Sequence, residues 1–385
     1  MRIGVDATSW GNRRGYGRFA RNVVSALVSS AANDEYVLFA DEWTAGQERL
    51  PERARVRVVP LSRPPGEAAA ADSQRPLRDL ARLSRSASRE PLDVFLFPSV
   101  YTWFPVLRTP TVVGIHDLIA DEYPELTLPS RPARARWLLK RRLAVRTASR
   151  IFTVSRASRA SVTEALGLPD AEVVVVSEAP DAIFGPRTAS QIEDALAPLG
   201  LGGGTRYLVY AGGISPHKGL VTLVEAYARL AEPTSRLVLV GALEDETYMS
   251  AAAEVRRRIS ELGLAERVLL TGYVPDETLA CLYAGAIAFV SPSLSEGFGL
   301  PAVEAARSRT AVLLSDIDAH RETLGDAARY FPAGDAGRLA AELAAVIGDD
   351  DLRSRLASAA HERVAGLSWD AAAASLRAVL AEAAG

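Results

Sequence analysis

Short apolar runs alternate with helix-like stretches along this chain, and the runs fall into two groups. The first group comprises residues 3–5, 36–39, 56–59, 94–97, 111–115 and 151–154. The second comprises residues 207–210, 236–240, 268–270, 287–290 and 311–314. Apolar strands separated by helices are typical of parallel sheets with helices on both faces. The pattern therefore predicts an α/β protein with two doubly wound sheets.

A polar, glycine-ended connection between residues 186 and 204 separates the two groups and predicts a hinge. We expect an N-terminal domain at 1–187, a C-terminal domain at 188–366 and a last helix at 367–385, with Ser368 as its N-cap. Ligands of doubly wound domains bind beyond the carboxyl ends of the strands. Two such domains facing each other would form a cleft for two substrates.

Composition and charge narrow the class of protein. The chain has 385 residues, 48% of them hydrophobic and 24% charged, as in soluble globular proteins. A formal net charge of -3 gives no general affinity for nucleic acid. Cys281 is the single cysteine, and residues 1–7 enter a strand without the apolar segment of a signal peptide. We therefore expect a cytoplasmic protein in a reducing compartment.

The turn after the run at 287–290 carries two carboxylates eight residues apart. Glu296 lies on the turn, Gly297 and Gly299 allow close backbone approach, and Glu304 follows inside the next helix. Free amides at a helix start attract phosphate. A carboxylate before the turn can accept hydrogen bonds from sugar hydroxyls, and one inside the helix can bind a ribose. The pattern predicts a site for a sugar nucleotide.

The residues around these carboxylates, Ser-x-x-Glu-Gly-Phe-Gly-Leu-Pro-x-x-Glu-Ala, resemble the signature of the retaining, nucleotide-sugar-dependent glycosyltransferases of the GT-B fold, in the group called family 4. The resemblance extends over nearly the whole chain. It implies two Rossmann-like domains, with the final helix crossing back to the first. It also implies donor binding by Glu296, Gly297, Phe298, Gly299, Leu300 and Glu304.

A second glycine turn, residues 210–220, resembles the phosphate-binding loop of the same family. Lys218 matches the lysine that neutralises the donor diphosphate, and Gly212 and Gly213 belong to the loop. Many relatives carry an arginine where this chain has Gly213, so the second phosphate cation is missing. His217 either helps to hold the diphosphate or is a surface histidine of the turn.

In the first half, His116 and Asp117 directly follow the apolar run at 111–115. They match a His-Asp pair of the family, in which the histidine approaches the transferred sugar. The resemblance implies that His116 orients the sugar or the acceptor and is not a nucleophile. Together with Lys218 and Glu296 they form the expected catalytic set.

The segment Gly-Tyr-Gly-Arg after the first strand is also similar to family members whose loop approaches the donor phosphate and the acceptor. Gly15 and Gly17 are therefore expected in the donor site, although Gly-x-Gly alone is weak evidence. The absence of the fuller Gly-x-Gly-x-x-Gly argues against NAD. Candidate acceptor-binding residues are Arg18, Tyr101, Trp103 and Arg156. Both arginines could equally be surface charges of their helices.

Three further segments carry charged or polar patterns that we do not assign to catalysis. Asp316 and Asp318 form an Asp-x-Asp, which the GT-B interpretation makes a turn, so we expect no metal and no cofactor. The segment 320–322 resembles a family loop near the nucleotide, and we expect no catalytic role for it. Residues 131–146 predict an amphipathic helix with many cationic side chains. Such a helix either packs one face on the protein and exposes the other to water, or lies on an anionic membrane. The inner membrane face is thus an alternative location.

The resemblance implies transfer of a hexosyl unit from a nucleoside diphosphate sugar to an acceptor hydroxyl, forming an α-glycosidic bond. The motifs look most like bacterial mannosyltransferases, which gives a weak preference for GDP-mannose. The acceptor could be a glycan, a lipid-linked glycan or a small molecule, and the insertion at 64–90 does not reveal which. Three alternatives remain: a nucleotide-sugar 2-epimerase of the same fold, a pyridoxal phosphate-dependent phosphorylase, and an inactive sugar-nucleotide-binding partner subunit. The oligomeric state is not predicted.

Overall fold

The computed structural model describes residues 1–12, 15–30, 33–62, 75–128, 130–230, 235–242 and 250–385. The chain divides into two compact units. The first unit contains Met1–Glu178 and Ser368–Gly385, and the second contains Ala179–Leu367. The boundary between the first and second units thus lies after Glu178, before the boundary predicted after residue 187. Of the insertion expected at 64–90, residues 77–89 form the helix α3 described below, and residues 64–74 lie outside the described residues.

The first unit is built on a sheet of seven parallel strands. The strands are β1 (Arg2–Asp6), β2 (Glu35–Ala40), β3 (Arg55–Val58), β4 (Val94–Phe97), β5 (Thr111–Gly114), β6 (Arg150–Thr153) and β7 (Val173–Val175). Their order is β3-β2-β1-β4-β5-β6-β7, so the direction of winding reverses between β1 and β4. The helices are α1 (Gly15–Ser30), α2 (Glu42–Gln47), α3 (Leu77–Arg89), α4 (Ile119–Glu122), α5 (Pro124–Thr127), α6 (Arg131–Thr147) and α7 (Arg156–Leu166).

The second unit repeats this plan with six parallel strands. They are β8 (Tyr207–Ala211), β9 (Arg236–Val240), β10 (Val268–Gly272), β11 (Ala288–Ser291), β12 (Val312–Ser315) and β13 (Arg329–Phe331), in the order β10-β9-β8-β11-β12-β13. The helices are α8 (Ala189–Leu196), α9 (Leu220–Ala228), α10 (Ala252–Glu261), α11 (Asp276–Ala284), α12 (Leu300–Arg307), α13 (Asp318–Leu324), α14 (Ala336–Gly348) and α15 (Asp350–Val364). The last helix of the chain, α16 (Trp369–Ala384), belongs to the first unit.

The central strands of both sheets are buried and apolar on both faces, as parallel sheets require, whereas the edge strand β3 is exposed. In β4 all four residues are buried, and the same holds for β11 and β12. The expected α/β class with two parallel, Rossmann-like sheets is confirmed. The short outer strands β7 and β13 were not predicted. The sequence of β13, Arg-Tyr-Phe, has no apolar run, whereas β7 lies in four consecutive valines, residues 173–176, that were not assigned to a strand.

Helix α16 packs its apolar stripe against α1. Ser368 caps it, since the Ser368 hydroxyl accepts a hydrogen bond from the Ala371 amide at 3.2 Å. The Trp369 ring lies edge-on to Phe19 of α1, with ring centroids 5.8 Å apart. The stripe recurs every three or four residues and is completed by Ala372, Ala373, Leu376, Val379 and Leu380. This spacing puts all of them on one helical face.

Candidate functional site

Two loops meet at the carboxyl edge of the second sheet, where the strand order reverses between β8 and β11. One loop follows β8 and includes a 3-10 turn at Pro216–Lys218, and the other follows β11 and leads into α12. The Leu294 amide donates a hydrogen bond to the His217 carbonyl at 2.8 Å, which ties the loops together. Such a reversal is where doubly wound domains bind ligands.

Lys218 and Glu296 form an ion pair across these loops. The Lys218 Nζ lies 2.8 Å from Glu296 Oε1 and 2.7 Å from Oε2. Ser293 Oγ donates a further hydrogen bond to Oε1 at 2.7 Å. The two charged side chains are only 18% and 12% exposed, so water screens the pair weakly. The structure thus brings together two of the four expected catalytic residues.

The surroundings of Glu296 fix its charge. Burial opposes ionisation of the Glu296 carboxyl, but the Lys218 ammonium, the His320 ring and the hydrogen bonds from Lys218 and Ser293 outweigh it. They lower the pKa of Glu296 to about 2. Glu296 is therefore a carboxylate throughout the physiological range, which suits it to accept hydrogen bonds and not to donate a proton.

Two glycines are required by the backbone of this site. Gly299 starts α12 with φ 88°, in the left-handed region that favours glycine. Gly219 has φ 68°, and a Cβ there would lie 2.3 Å from the Pro292 carbonyl oxygen. Gly213 differs, because a Cβ on it would approach only Ser215 Oγ, at 3.6 Å. Position 213 therefore has room for a Cβ.

These residues surround a small pocket, which we call the Lys218 pocket. Its lining consists of Tyr210, Ala211, Gly212, Lys218, Ser291, Glu296, Gly299, Pro301, Ala302 and His320. Sequence reasoning missed Tyr210 and gave His320 no catalytic role. The signal for His320 was its position just after β12, because β12 is the neighbour of β11 in the sheet.

The other residues of the second unit that were expected to bind the donor are either buried supports or half-buried loop positions. Phe298 and Leu300 are 5% and 6% exposed, so they anchor the turn in the core. Glu304 is 2% exposed, and its Oε2 accepts a hydrogen bond from the Tyr283 hydroxyl at 3.3 Å. Gly297 and His217 are half-buried on the loops. A ribose would have to share the Glu304 carboxylate with Tyr283.

In the first unit, His116 is buried at the end of β5. Its Nε2 lies 2.8 Å from the Pro98 carbonyl, and its Nδ1 lies 4.0 Å from Glu178 Oε1. The Phe19 ring packs edge-on against the imidazole, with ring centroids 4.6 Å apart. Burial, opposed only by the hydrogen bond to Pro98, lowers the pKa of His116 to about 4. The imidazole is therefore neutral at pH 7, with the proton on Nε2 because a carbonyl can only accept.

Asp117 and Tyr101 form a second group beside His116. The Tyr101 hydroxyl donates to Asp117 Oδ1 at 3.3 Å, and the Ile119 amide donates to the same oxygen at 3.1 Å. The Tyr101 ring stacks on Trp137 with centroids 5.2 Å apart. Trp103, a candidate for acceptor binding, is 6% exposed and belongs to the core of the first unit.

The remaining candidates of the first unit lie at helix starts. Gly15 is exposed as the first residue of α1, and Arg156 is exposed as the first residue of α7. Arg18 is half-buried. Gly17 is buried, and a Cβ there would lie 2.0 Å from the Asn12 carbonyl oxygen. Close packing of the preceding loop on α1 thus explains this glycine.

The Asp-x-Asp segment follows β12 as a turn. Both carboxylate oxygens of Asp316 accept hydrogen bonds from Arg321, at 2.6 and 2.8 Å, and this pairing lowers the pKa of Asp316. Asp318 is the first residue of α13. Within the described ranges, no group of three or more His, Cys, Asp or Glu side chains could hold a metal ion.

Helix α6 shows an inner and an outer face. Ala133, Trp137 and Ala144 are buried, and the Trp137 indole donates to Asp121 Oδ2 at 3.1 Å. The outer face carries three exposed leucines, Leu138, Leu139 and Leu143, among the exposed arginines Arg131, Arg134, Arg136, Arg142 and Arg146. Of the helices that the structure describes, none is both long and apolar enough to cross a bilayer.

The two parallel α/β units match solved structures over nearly their whole length. Sucrose-phosphate synthase from Thermosynechococcus elongatus superposes with a TM-score of 0.79 at 19% identity, covering 99% of this chain and 98% of that chain. The Anabaena protein HepE, solved in complex with UDP and glucose, superposes with a TM-score of 0.77 at 19% identity, covering 99% of this chain and 100% of that chain. At this identity the likeness shows the fold alone.

Sequence comparison supplies the family. The model described as "Glycosyl transferases group 1" matches residues 191–363, and "Glycosyltransferase Family 4" matches residues 13–181. The O-antigen chain mannosyltransferase B of Escherichia coli is 30% identical over 228 residues, which are 58% of this chain and 58% of that relative. The alignment thus spans little more than half of the relative. The chain belongs to the family 4 glycosyltransferases of the GT-B fold.

Proposed function

We propose that this protein is a retaining glycosyltransferase that transfers a hexosyl unit from a nucleoside diphosphate sugar to an acceptor hydroxyl. The observation that carries the proposal is the Lys218–Glu296 pair in a pocket at the start of α12. A fixed cation beside a permanently ionised carboxylate suits a ligand that joins a diphosphate to a polyhydroxylated sugar. Family membership and the UDP–glucose complex of HepE support the same assignment.

In the proposed reaction, Lys218 and loop amides bind the departing diphosphate. Negative charge grows on this leaving group as the anomeric bond breaks, so these contacts strengthen in the transition state. Glu296 accepts hydrogen bonds from the sugar hydroxyls, and Glu304, shared with Tyr283, binds the ribose. The acceptor attacks from the leaving-group face and its proton passes to the diphosphate, which retains the α configuration. No metal takes part in this scheme.

The first unit supplies the acceptor side. His116 is neutral and rigidly held by Pro98 and Phe19, so it can orient a hydroxyl but is not poised as a charged group. Asp117 and Tyr101 line the same region through their mutual hydrogen bond. The cleft that would bring these groups to the Lys218 pocket stays a prediction.

The donor base and sugar are the finer part of the proposal. A mannosyltransferase among the relatives supports GDP-mannose, whereas HepE was solved with UDP. Calorimetric titration of the protein with GDP and with UDP in EDTA tests the site directly. Binding of one nucleotide without metal supports it. Failure of both, restored only by a divalent cation, would contradict the roles of Lys218 and Asp316.

A transfer assay with the selected sugar nucleotide separates the alternatives. A 2-epimerase would turn over the donor without any acceptor, and an inactive partner subunit would bind it without turnover. A glycosyltransferase forms a glycoside only when an acceptor is present, and NMR of the product gives the anomeric configuration. The phosphorylase alternative requires the absorption band of pyridoxal phosphate in the purified protein.

We also propose that the outer face of α6 contacts anionic membrane lipid. Its exposed leucines can enter the interface while the surrounding arginines bind headgroups. The protein should co-sediment with anionic vesicles and should not co-sediment with neutral vesicles. Replacing Leu139 and Leu143 by Glu should abolish the binding without affecting nucleotide affinity. Equal retention of the variant would refute membrane contact through this face.

A further inference from the structure

His320 lines the Lys218 pocket, and the proposed reaction does not use it. It lies on α13 just after β12 and is fully buried, with 0% of its surface exposed. Its Nδ1 lies 2.9 Å from the Ser315 carbonyl oxygen. A carbonyl can only accept, so Nδ1 carries the proton and Nε2 is a bare acceptor in the neutral imidazole.

The buried Nε2 has no hydrogen-bond partner among the described residues. A buried polar atom normally has one, and an exception calls for an explanation. The imidazole edge faces the glycine turn at the start of α12, since a Cβ on Gly299 would lie 3.1 Å from its Cδ2 and 3.5 Å from its Nε2. The missing side chain of Gly299 keeps this edge open to the pocket.

The charges around His320 are balanced before any ligand binds. Glu296 and Lys218 neutralise each other, and Tyr210 lines the same pocket. The Tyr330 hydroxyl bonds to the backbone carbonyls of His320 and Gly325, at 3.2 and 2.7 Å, and not to the imidazole. The neighbouring Arg321 is bound to Asp316. A diphosphate would bring one negative charge on each phosphate into a pocket whose single cation is already paired.

The start of helix α12 offers few free backbone amides to bind the negative charge of a diphosphate. Pro301 has no N–H, and the amides of Ala302 and Val303 both donate to the Gly299 carbonyl, at 3.0 and 3.4 Å. The first turn of a helix normally leaves four amides open. Fewer are open here, so a diphosphate needs another donor, and a protonated Nε2 of His320 would supply it.

We propose that His320 takes up a proton from solvent when the donor diphosphate binds, and that its Nε2–H then donates to a phosphate oxygen. This rests on the proposed function. In the unliganded protein, burial lowers the pKa of His320 despite the opposing effect of Glu296, so the ring is neutral at pH 7.5. The negative charge of the bound phosphates raises the pKa of His320. Affinity for the donor should therefore fall as pH rises through the pKa of the complex, by up to about tenfold per pH unit.

The test is calorimetry with an intact nucleoside diphosphate sugar, GDP-mannose or UDP-glucose. Its phosphate groups do not titrate near neutral pH, so any proton taken up belongs to the protein. Titrations at pH 7.5 in buffers of low and high ionisation enthalpy give the number of protons that the protein takes up per bound sugar nucleotide. This number should approach one. His320→Asn keeps an N–H for Ser315 but loses Nε2, so it should bind more weakly, with no proton uptake and a flatter pH profile.

His361→Asn is the matched control. The Nδ1 of His361 also lies near a carbonyl, that of Arg307 at 3.0 Å, but on α15 and outside the pocket lining. This variant should keep both the affinity and the proton uptake of the wild-type protein. Tight binding of a sugar nucleotide without proton uptake, or uptake that persists in His320→Asn, would overturn the role of His320 and leave the proposed function standing. Failure of every sugar nucleotide to bind would overturn both.

Discussion

The Lys218 ammonium bonds to both carboxylate oxygens of Glu296, at 2.7 and 2.8 Å. The cation expected to hold the diphosphate is thus already paired with the carboxylate expected to hold the sugar. A donor must therefore compete with Glu296 for Lys218 or share it. This relationship makes affinity and catalysis respond differently to changes at Glu296.

Replacing Glu296 with Gln should separate these two effects. The amide removes the ionic partner of Lys218, so affinity for GDP or UDP should rise about tenfold, equivalent to about 1.4 kcal/mol. Transfer should fall by on the order of tenfold to a hundredfold, because charged hydrogen bonds to the sugar are lost. Calorimetry and initial rates measure the two quantities. The exposed Glu277→Gln on α11 serves as control, and lowered nucleotide affinity in Glu296→Gln would contradict the competition.

Gly219→Ala should disrupt the turn that positions Lys218. Its Cβ would collide with the Pro292 carbonyl as well as strain a left-handed backbone, so unfolding free energy should fall by about 3 kcal/mol. Gly263 has a similar φ of 67° but open space around it, so Gly263→Ala should cost only about 1 kcal/mol. Urea denaturation compares the variants. Equal losses would show that the collision has no cost.

Gly213→Arg should fold normally and bind nucleoside diphosphate more tightly. The position has room for a Cβ, and a guanidinium there can reach phosphate oxygens in two parallel hydrogen bonds. We expect a gain of about tenfold in affinity. Gly213→Ala separates the charge from the backbone change. A gain in the alanine variant, or none in the arginine variant, would argue against a phosphate near this residue.

Stability should depend on pH through His116. The folded pKa of about 4 lies below the unfolded value of 6.5, so the unfolded chain binds the proton first. The contribution of His116 to the free energy of unfolding is complete above pH 6.5 and is lost as the pH falls toward 4. It amounts to at most about 3 kcal/mol. His116→Gln should flatten this part of the urea midpoint profile between pH 7 and 4.5, while the buried His320 keeps its share. An unchanged slope would show that His116 does not carry the effect.

Leu376→Ala should destabilise the first unit through its last helix. Leu376 is completely buried where α16 packs on α1, and a cavity of this size costs about 3 kcal/mol. Glu382→Ala removes an exposed pair with Arg150, whose side chains are 62% and 43% exposed, and should cost less than about 1 kcal/mol. Thermal unfolding of the full chain shows both effects. A negligible loss for Leu376→Ala would mean that the helix does not support the unit.

The two parallel sheets and the positions of the glycine turns could be predicted from the amino-acid sequence. Apolar runs such as β4 and β11 are long enough to be read directly, since burial on both faces demands continuous apolar residues. The roles of Gly219 and Gly299 also follow from local geometry, because only glycine adopts a left-handed backbone easily.

Which side chains meet in the site could not be predicted, because it depends on how the strands are ordered in the sheet. Lys218 and Glu296 are far apart in sequence and are joined because β8 and β11 are neighbours in the sheet. His320 entered the pocket for the same reason, through the pairing of β11 with β12. Conversely, Trp103 and Gly17 turned out to be explained by packing in the first unit. Motifs record local conformation, whereas charge pairing and burial depend on contacts between residues distant in the chain.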